Sequence, residues 1–399
     1  IKDNGVRRIY LDNPAGTQVP VGVADAMSRC LLSTNANLGG YFPTSQAAGE
    51  VVSTARNAMA DLLNAPSSDE IVFGQNMTTL TLHISRSIGR LFRPGDEIIL
   101  SQMDHDANVW PWVLLARDLD LKVRWLPFNT GTFEFDIDVL DNLLTDRTRL
   151  LCVGGASNLT GTLNDVTTIC AKAKTAGALT YIDGVQSVPH VVTDVQAIEC
   201  DFLVCSPYKF FGPHQGVLWG RRELLEKLEP YKVRPATSAI PECFETGTQS
   251  HEGFAGTKAA VEYLAWIGES MAGAISGRPA LQAAMEMLFA YEKSLAAQLI
   301  EGLMNLDGVT VQGITAPDAL DRRVPTIAFT HDRFDPAHIA ESLARENIFV
   351  WKGHNYAVEV AKALNIYDTG GAVRIGAVHY NSAEEIDEVL AALRRILGR

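Results

Sequence analysis

Thr180–Pro213, TYIDGVQSVPHVVTDVQAIECDFLVCSPYKFFGP, holds two short apolar runs, each followed at once by a group able to do chemistry. The run Ala178–Ile182 reads as a buried strand ending at Asp183. Asp201–Cys205 reads as a second strand, stopping at Ser206-Pro207-Tyr208-Lys209. In open α/β sheets ligands sit at the carboxyl ends of the strands. A carboxylate and an amine at two such ends therefore mark a candidate ligand edge, although a lysine after an apolar run is, by itself, most often a solvated strand end.

Outward from this stretch, helical and strand-like patterns alternate. Glu50–Leu63, Thr78–Arg90, Asn108–Leu119 and Asp165–Ala176 read as helices; Glu70–Phe73, Glu97–Ser101, Lys122–Pro127 and Leu150–Gly154 read as strands. Alternation of that kind predicts an α/β fold, a mostly parallel sheet covered by helices on both faces. Further on, Thr237–Gly256 reads as a long loop and Gly268–Pro279 as a linker. A helix is expected over about Ala280–Leu306, and the tail then runs strand, helix, strand, helix (Val324–Phe329, Pro336–Glu346, Ala372–Ile375, Ala383–Leu397). We therefore expect a large domain, 15–279, and a smaller α+β domain, 280–399 with 1–14.

Composition narrows the classes. A chain of 399 residues that is 47% hydrophobic can bury a large core. The net charge of −13 argues against nucleic acid or an anionic membrane as partner, since either wants a basic face. No apolar run approaches the ~18 residues of a bilayer span, and IKDNGVRRIYLDNPAG lacks the apolar core of a secretory signal. A cytoplasmic location is the expectation. The six cysteines have no zinc-like spacing and no HExxH occurs, so buried free thiols and no metal are expected.

An aspartate and a lysine at neighbouring strand ends are what a pyridoxal phosphate site needs. The carboxylate keeps the pyridine nitrogen protonated, so the ring becomes an electron sink, and the amine forms a Schiff base with the aldehyde. The stretch resembles the class V aminotransferase and cysteine desulfurase family of fold type I pyridoxal phosphate enzymes, in which D-G-x-Q is followed by S-x-x-K-x-x-G-P. The matching residues are Asp183-Gly184-Val185-Gln186 and Ser206-Pro207-Tyr208-Lys209-Phe210-Phe211-Gly212-Pro213. The resemblance implies a seven-stranded-type sheet, Lys209 as the Schiff-base residue, Asp183 at the ring nitrogen, Gln186 at the ring hydroxyl and Ser206 at the cofactor.

Further segments extend the likeness from about Tyr10 to Leu397. Asn76-Met77-Thr78-Thr79 stands before a helix, where backbone N–H groups and a hydroxyl suit a phosphate. A threonine cap would explain the same residues. The family has G-T-T-E here, which implies Thr78, with Met77 beside it, as phosphate contacts. Ser101–Trp112, SQMDHDANVWPW, is similar to S-Q-M-E-H-x-A-N, implying that His105 stacks on the ring. Ser157-Asn158-Leu159-Thr160-Gly161 resembles S-N-x-x-G and implies Asn158 at the substrate carboxylate or ring hydroxyl. Glu245-Thr246-Gly247-Thr248-Gln249 resembles E-x-G-T-x, a loop that crosses a dimer interface, so Thr248 would touch the partner's phosphate in a homodimer. Val373-Arg374-Ile375 falls where the family keeps an arginine for the substrate carboxylate, a task suited to a bidentate guanidinium.

The chain departs from the family around Thr78, where Asn76-Met77 and Thr79 stand for the usual Gly-Thr and Glu, and at two positions that bear on the chemistry. Trp351-Lys352-Gly353-His354-Asn355-Tyr356-Ala357 aligns with R-x-G-H-H-C-A, placing Tyr356 where a desulfurase keeps its persulfide cysteine. A phenol cannot accept sulfane sulfur; unless Cys243 has taken that role, persulfide-forming desulfuration is not expected. Tyr208 stands where a histidine usually precedes the lysine, so a group titrating near pH 10 replaces one titrating near neutrality. Tyr356 and Tyr208 are thus candidate donors or acids. The expectation is an enzyme that binds an amino acid as a Schiff base and forms a Cα carbanion with Lys209 as base. Three outcomes share that route: elimination at Cβ or Cγ (a C–S lyase is favoured by the resemblance), transamination, and racemisation or cyclisation. A non-catalytic binding protein of the same fold is the reading from another class.

Overall fold

The computed structural model describes residues 2, 3 and 5–398. Numbering the strands of the two main sheets, the first contains β1 (Ile71–Gly74), β2 (Glu97–Ser101), β3 (Lys122–Leu126), β4 (Thr148–Gly154), β5 (Leu179–Asp183), β6 (Phe202–Cys205) and β7 (Gly216–Gly220). They lie in the order β1-β7-β6-β5-β4-β2-β3. All run parallel except β7, which is antiparallel to both β6 and β1.

The near-continuous apolar runs of these strands follow from burial on both faces. Within each strand the side chains alternate between two cores: Phe73, Leu151, Ile182 and Leu203 enter one, and their neighbours Val72, Leu150, Tyr181 and Val204 enter the other. Each such aliphatic or aromatic side chain contributes roughly 1.5–3 kcal/mol by leaving water. Helices of ten residues or more cover the sheet: α1 (Val21–Ser33), α2 (Pro43–Leu63), α3 (Met77–Gly89), α4 (Trp110–Leu119), α5 (Val166–Thr175) and α6 (His251–Ala272). The α/β class expected from the alternating pattern is the class observed.

A four-stranded antiparallel sheet follows, with β8 (Val309–Gln312), β9 (Thr326–His331), β10 (Trp351–Gly353) and β11 (Ala372–Gly376) in the order β8-β9-β11-β10. Helices α7 (Arg278–Met304), α8 (Pro336–Arg345) and α9 (Ala383–Leu397) pack with it. Ser382 caps α9 by accepting the N–H of Glu385, and Arg394 and Arg395 lie in its last turn. Helix α7 serves both parts: Leu281, Ala284 and Leu288 enter a core of the large sheet, while Leu295, Leu299 and Leu303 enter that of the small one. The division proposed at residues 279 and 280 falls in its first turn. From the N-terminal side, Ile9–Tyr10 pairs with Ile348–Phe349, which brings Asp12–Gly16 to the edge between the sheets.

Some elements differ from the expectation. The loop predicted over Thr237–Gly256 ends at Ser250, where α6 begins. The linker predicted over Gly268–Pro279 shortens to residues 273–277, because α6 continues to Ala272.

Candidate active site

Strands β2, β4, β5 and β6 all end on one edge of the large sheet, and a cavity of about 270 Å³ opens there. Every side chain expected at the site except Thr248 lines it. β5 delivers Asp183, which is buried. Its Oδ1 accepts the N–H of Val185 at 2.9 Å. Burial pushes its carboxyl up to about 6, opposed by that N–H and by Lys209.

Lys209 leaves the turn after β6 and donates to the carbonyls of Pro14 and of Ala15, the latter at 2.8 Å. Its Nζ lies 4.9 Å from the centre of the Tyr208 ring. Burial and then Arg374 lower its pKa to about 7, with Asp12 and Asp183 acting the other way. Gln186 donates to the same Pro14 carbonyl at 2.8 Å. The Asp12–Gly16 turn thus holds the amine and the amide side by side until a ligand takes them.

His105 follows β2. Its Nδ1 accepts the N–H of Ala107 at 3.0 Å, so the proton sits on Nε2. Burial, then Lys209 and Arg374, lower its pKa to about 3, which leaves a neutral flat ring. The residue before it is a site group that sequence reasoning missed. Asp104 is buried, accepts from Ser101 Oγ (2.7 Å) and Gly154 N–H (2.8 Å) on Oδ1, and from Asn108 Nδ2 (2.7 Å) on Oδ2. It ties the His105 turn to the end of β4, and burial pushes its carboxyl up to about 7. The quoted segment SQMDHDAN already contained it.

At the opposite end of the cavity stands the N-terminus of α3. Its cap is Asn76, whose Oδ1 accepts both the N–H (2.9 Å) and the hydroxyl (2.8 Å) of Thr79. Thr78 is therefore not the cap, and its hydroxyl and the N–H groups ahead of Thr79 are left for a ligand. No acidic residue lies in that first turn, so the end of the helix favours an anion. Met77 is buried beside it, Ser206 is buried across from it, and Tyr208 stacks on His214 with ring centres 5.1 Å apart.

Arg374 comes from β11 of the small sheet. It is buried, donates from Nη1 to the carbonyl of Asn158 at 3.0 Å and meets Asp12 Oδ1 at 3.3 Å. Asn158 donates to the carbonyl of Asn355 at 2.6 Å. Three polar atoms around this corner are buried without a partner: Arg374 Nε, Asn158 Oδ1 and Asn355 Oδ1. Buried polar groups are rarely left so. Tyr356 reaches the mouth from a turn in which Asn355 and Tyr356 both have positive φ, at 51° and 59°. Its ring stacks on His105 at 5.3 Å and 23°.

Thr248 lies elsewhere, exposed, in a separate cavity of about 430 Å³ with Thr79 and His83. Its loop is anchored by Glu245, which accepts the Phe73 N–H at 2.8 Å and pairs with Arg56 at 2.9 Å. Among the described residues no cysteine lines the main cavity; Cys243 is buried in the core beside Phe244, its thiol pushed up by burial. No cluster of three His, Cys, Asp or Glu suited to a metal occurs among those residues.

The profile of the "Aminotransferase class-V" family matches residues 9–389. The chain belongs to this family. Similar curated proteins include a cysteine desulfurase of Pectobacterium carotovorum subsp. carotovorum (strain PC1), 32% identical over 408 aligned residues, covering 98% of this chain and 94% of the relative. Another is a cysteine desulfurase of Yersinia pestis (strain Pestoides F), 31% identical with the same coverage. Among solved structures, the apo cysteine desulfurase of Thermococcus onnurineus NA1 superposes with TM-score 0.88 at 27% identity, over 98% of this chain and 95% of that one. Cysteine desulfurase CsdA of Escherichia coli gives 0.85 at 28%.

This class V enzyme therefore has the fold of type I pyridoxal phosphate enzymes, uses pyridoxal 5'-phosphate and acts on an amino acid. The residues present fit that cofactor. The free helix end and Thr78 offer an anion site, the second oxygen of Asp183 is open for a ring N–H, and His105 is a neutral face. No helix among the described residues is long and apolar enough to cross a membrane.

Proposed function

We propose that this enzyme is a lyase that breaks a bond at Cβ or Cγ of an amino acid, C–S in type, without passing sulfur to a thiol of the protein. The observation that carries the reading is Tyr356, at the mouth of the cavity and stacked on His105, with every cysteine buried away from the lining. Elimination asks for two proton transfers, one from Cα and one to the leaving group. Transamination asks for no second acid on the side-chain side.

When bound, pyridoxal phosphate supplies an aldehyde for the substrate amine and a ring that accepts negative charge from Cα. The protein's residues do the remainder. Arg374 and Asn158 hold the α-carboxylate, which accepts from the unpartnered Nε of the guanidinium and from the remaining Nδ2 N–H of the amide. Lys209, its pKa lowered to about 7, is uncharged in a large fraction near neutrality and takes the Cα proton. Asp183 holds a proton on the ring nitrogen, and Gln186 orients the ring hydroxyl. Ser206, Tyr208, Thr78 and the Met77 turn hold the phosphate end. Tyr356 hands a proton to the departing group. Thr248, exposed in the single chain, completes the phosphate site of a second subunit, which makes the active form a homodimer.

Incubation with a panel of amino acids, measuring keto acid, ammonia, sulfide or thiol, and aminated cofactor, tests this. Keto acid, ammonia and a sulfur product in equal amounts are expected. Keto acid matched by aminated cofactor, or a cyanolysable persulfide on the protein, would refute it.

A further inference from the structure

Trp351 and Arg374 are opposite partners in the β10–β11 ladder. Opposite residues of an antiparallel pair leave the same face, with Cβ atoms about 4.5–5.5 Å apart. Both line the main cavity, but they differ in setting: Arg374 is 4% exposed and Trp351 57%. A substrate whose carboxylate is held by Arg374 therefore has an indole standing at its shoulder, on the way out to solvent. Tyr356, 66% exposed, faces the same opening from the next turn, with its ring on His105.

The chemistry of this outer half is uniform. The charged side chains lining the cavity are Asp183, Lys209 and Arg374, all engaged by the cofactor or the carboxylate. Beyond the groups assigned to the cofactor and the carboxylate, what remains around a substrate side chain is an indole and a phenol, with the amide of Asn355 beside them. In the R-x-G-H-H-C-A pattern the position of Trp351 holds an arginine, so a cation has been exchanged for a flat apolar face. Large aromatic side chains half exposed at a cavity mouth select for another ring, because stacking adds to simple burial.

We propose that the substrate is a cysteine thioether whose sulfur carries an aryl or benzyl group, stacked between Trp351 and Tyr356. This rests on the lyase reading above and names its substrate class. The reaction balances without an oxidant or reductant. Lys209 takes the Cα proton, the Cβ–S bond breaks with its electron pair going to sulfur, and Tyr356 protonates the departing thiolate to the thiol. Water converts the remaining three-carbon enamine to pyruvate and ammonia.

Stable, reduced conjugates of phosphopyridoxal with amino acids test the inference by binding alone. The protein, stripped of cofactor, is titrated with the conjugates of S-benzylcysteine, cysteine and aspartate and with pyridoxamine phosphate, following tryptophan fluorescence or heat. The S-benzylcysteine conjugate should bind roughly 2- to 12-fold tighter than the cysteine conjugate for each stacking face it gains. Trp351→Ala should lower that ratio by about 2- to 12-fold, the share of one face, and Trp351→Phe should restore most of it. Equal affinities in the wild type, tightest binding of the aspartate conjugate, or a ratio unmoved by Trp351→Ala, as when a second subunit covers the indole, would each overturn the proposal. Failure of every conjugate and of pyridoxamine phosphate to bind would instead remove the cofactor assignment beneath it.

Discussion

Asp104→Asn should make the cofactor-free protein more stable at pH 8 while leaving it about level at pH 5. Burial raises the Asp104 carboxyl from its ordinary 3.8 to about 7, against the pull of three donors. A folded-state pKa above the unfolded one means that folding takes up a proton. The stability this group contributes is complete below pH 3.8 and is lost as pH rises through about 7. Between pH 5 and 8 the loss comes to about 2–3 kcal/mol, at about 1.36 kcal/mol per unit of pKa.

Asparagine removes the titration. It retains an acceptor for Ser101 Oγ and the Gly154 N–H, so the His105 turn stays tied to β4. Its amide nitrogen, however, would face Asn108 Nδ2, now 2.7 Å from Asp104 Oδ2. Asn108 must then turn over and release Trp112 Nε1, 3.3 Å from its Oδ1, at about 0.5–1.5 kcal/mol. The variant should therefore trail by about 1 kcal/mol below pH 3.8, be about level at pH 5, where the wild type has already lost about 1.5 kcal/mol, and lead by about 3 kcal/mol at pH 8. Asp183, raised to about 6, adds a slope of the same sign to both proteins and largely cancels in the difference. Urea unfolding of both apoproteins at pH 5, 6, 7 and 8 measures it. Stability curves that stay parallel across this range would refute a charged, buried Asp104.

Other outcomes follow from the same geometry. Borohydride reduction of the cofactor-loaded enzyme should leave a pyridoxyl group on Lys209 by peptide mass; an adduct on another lysine would move the site. Because only the uncharged amine attacks an aldehyde, the rate at which apoprotein captures pyridoxal phosphate should rise with pH through about 7; a midpoint near the ordinary 10.5 would contradict the buried amine. Tyr356→Phe should slow turnover about 10²–10⁴-fold with cofactor affinity unchanged, and turnover at the wild-type rate would dismiss the phenol as the acid. Thr248→Ala should weaken cofactor binding in a dimer seen by sedimentation; a fully active monomer would defeat the shared phosphate site.

Where sequence reading worked, it worked through local chemistry. Parallel strands buried on both faces must be apolar throughout, so β5 and β6 stood out with Asp183 and Lys209 at their ends. The start of α6 was hidden by two glycines that weaken a helical pattern, and the fold explains them. A Cβ on Gly253 would run into Gln215, and one on Gly256 would come within 2.8 Å of Met27. Helix α1 gave little periodicity because only Val23 and Cys30 of it are buried and Pro20 provides no side-chain cap. β7 was passed over, and its antiparallel entry between β1 and β6 is a tertiary fact that no local pattern encodes.

The site divides in the same way. Its cofactor half is built from residues close in sequence to a strand end or a helix start, so motif and geometry agree there. Its substrate half depends on register. Arg374 was legible as a lone arginine between apolar neighbours, but nothing in the chain joins it to Trp351, twenty-odd positions earlier, until β10 is paired with β11. A shift of that ladder by one residue would turn the indole to the other face of the sheet and place Lys352 beside the guanidinium. The observed register instead gives the carboxylate grip an apolar neighbour in place of a second cation. On the proposed reading substrate choice follows from strand pairing: of the positions that depart from the family pattern, 351 and 356 are brought to the mouth by this pairing and the turn after it, while 208 stands beside Lys209.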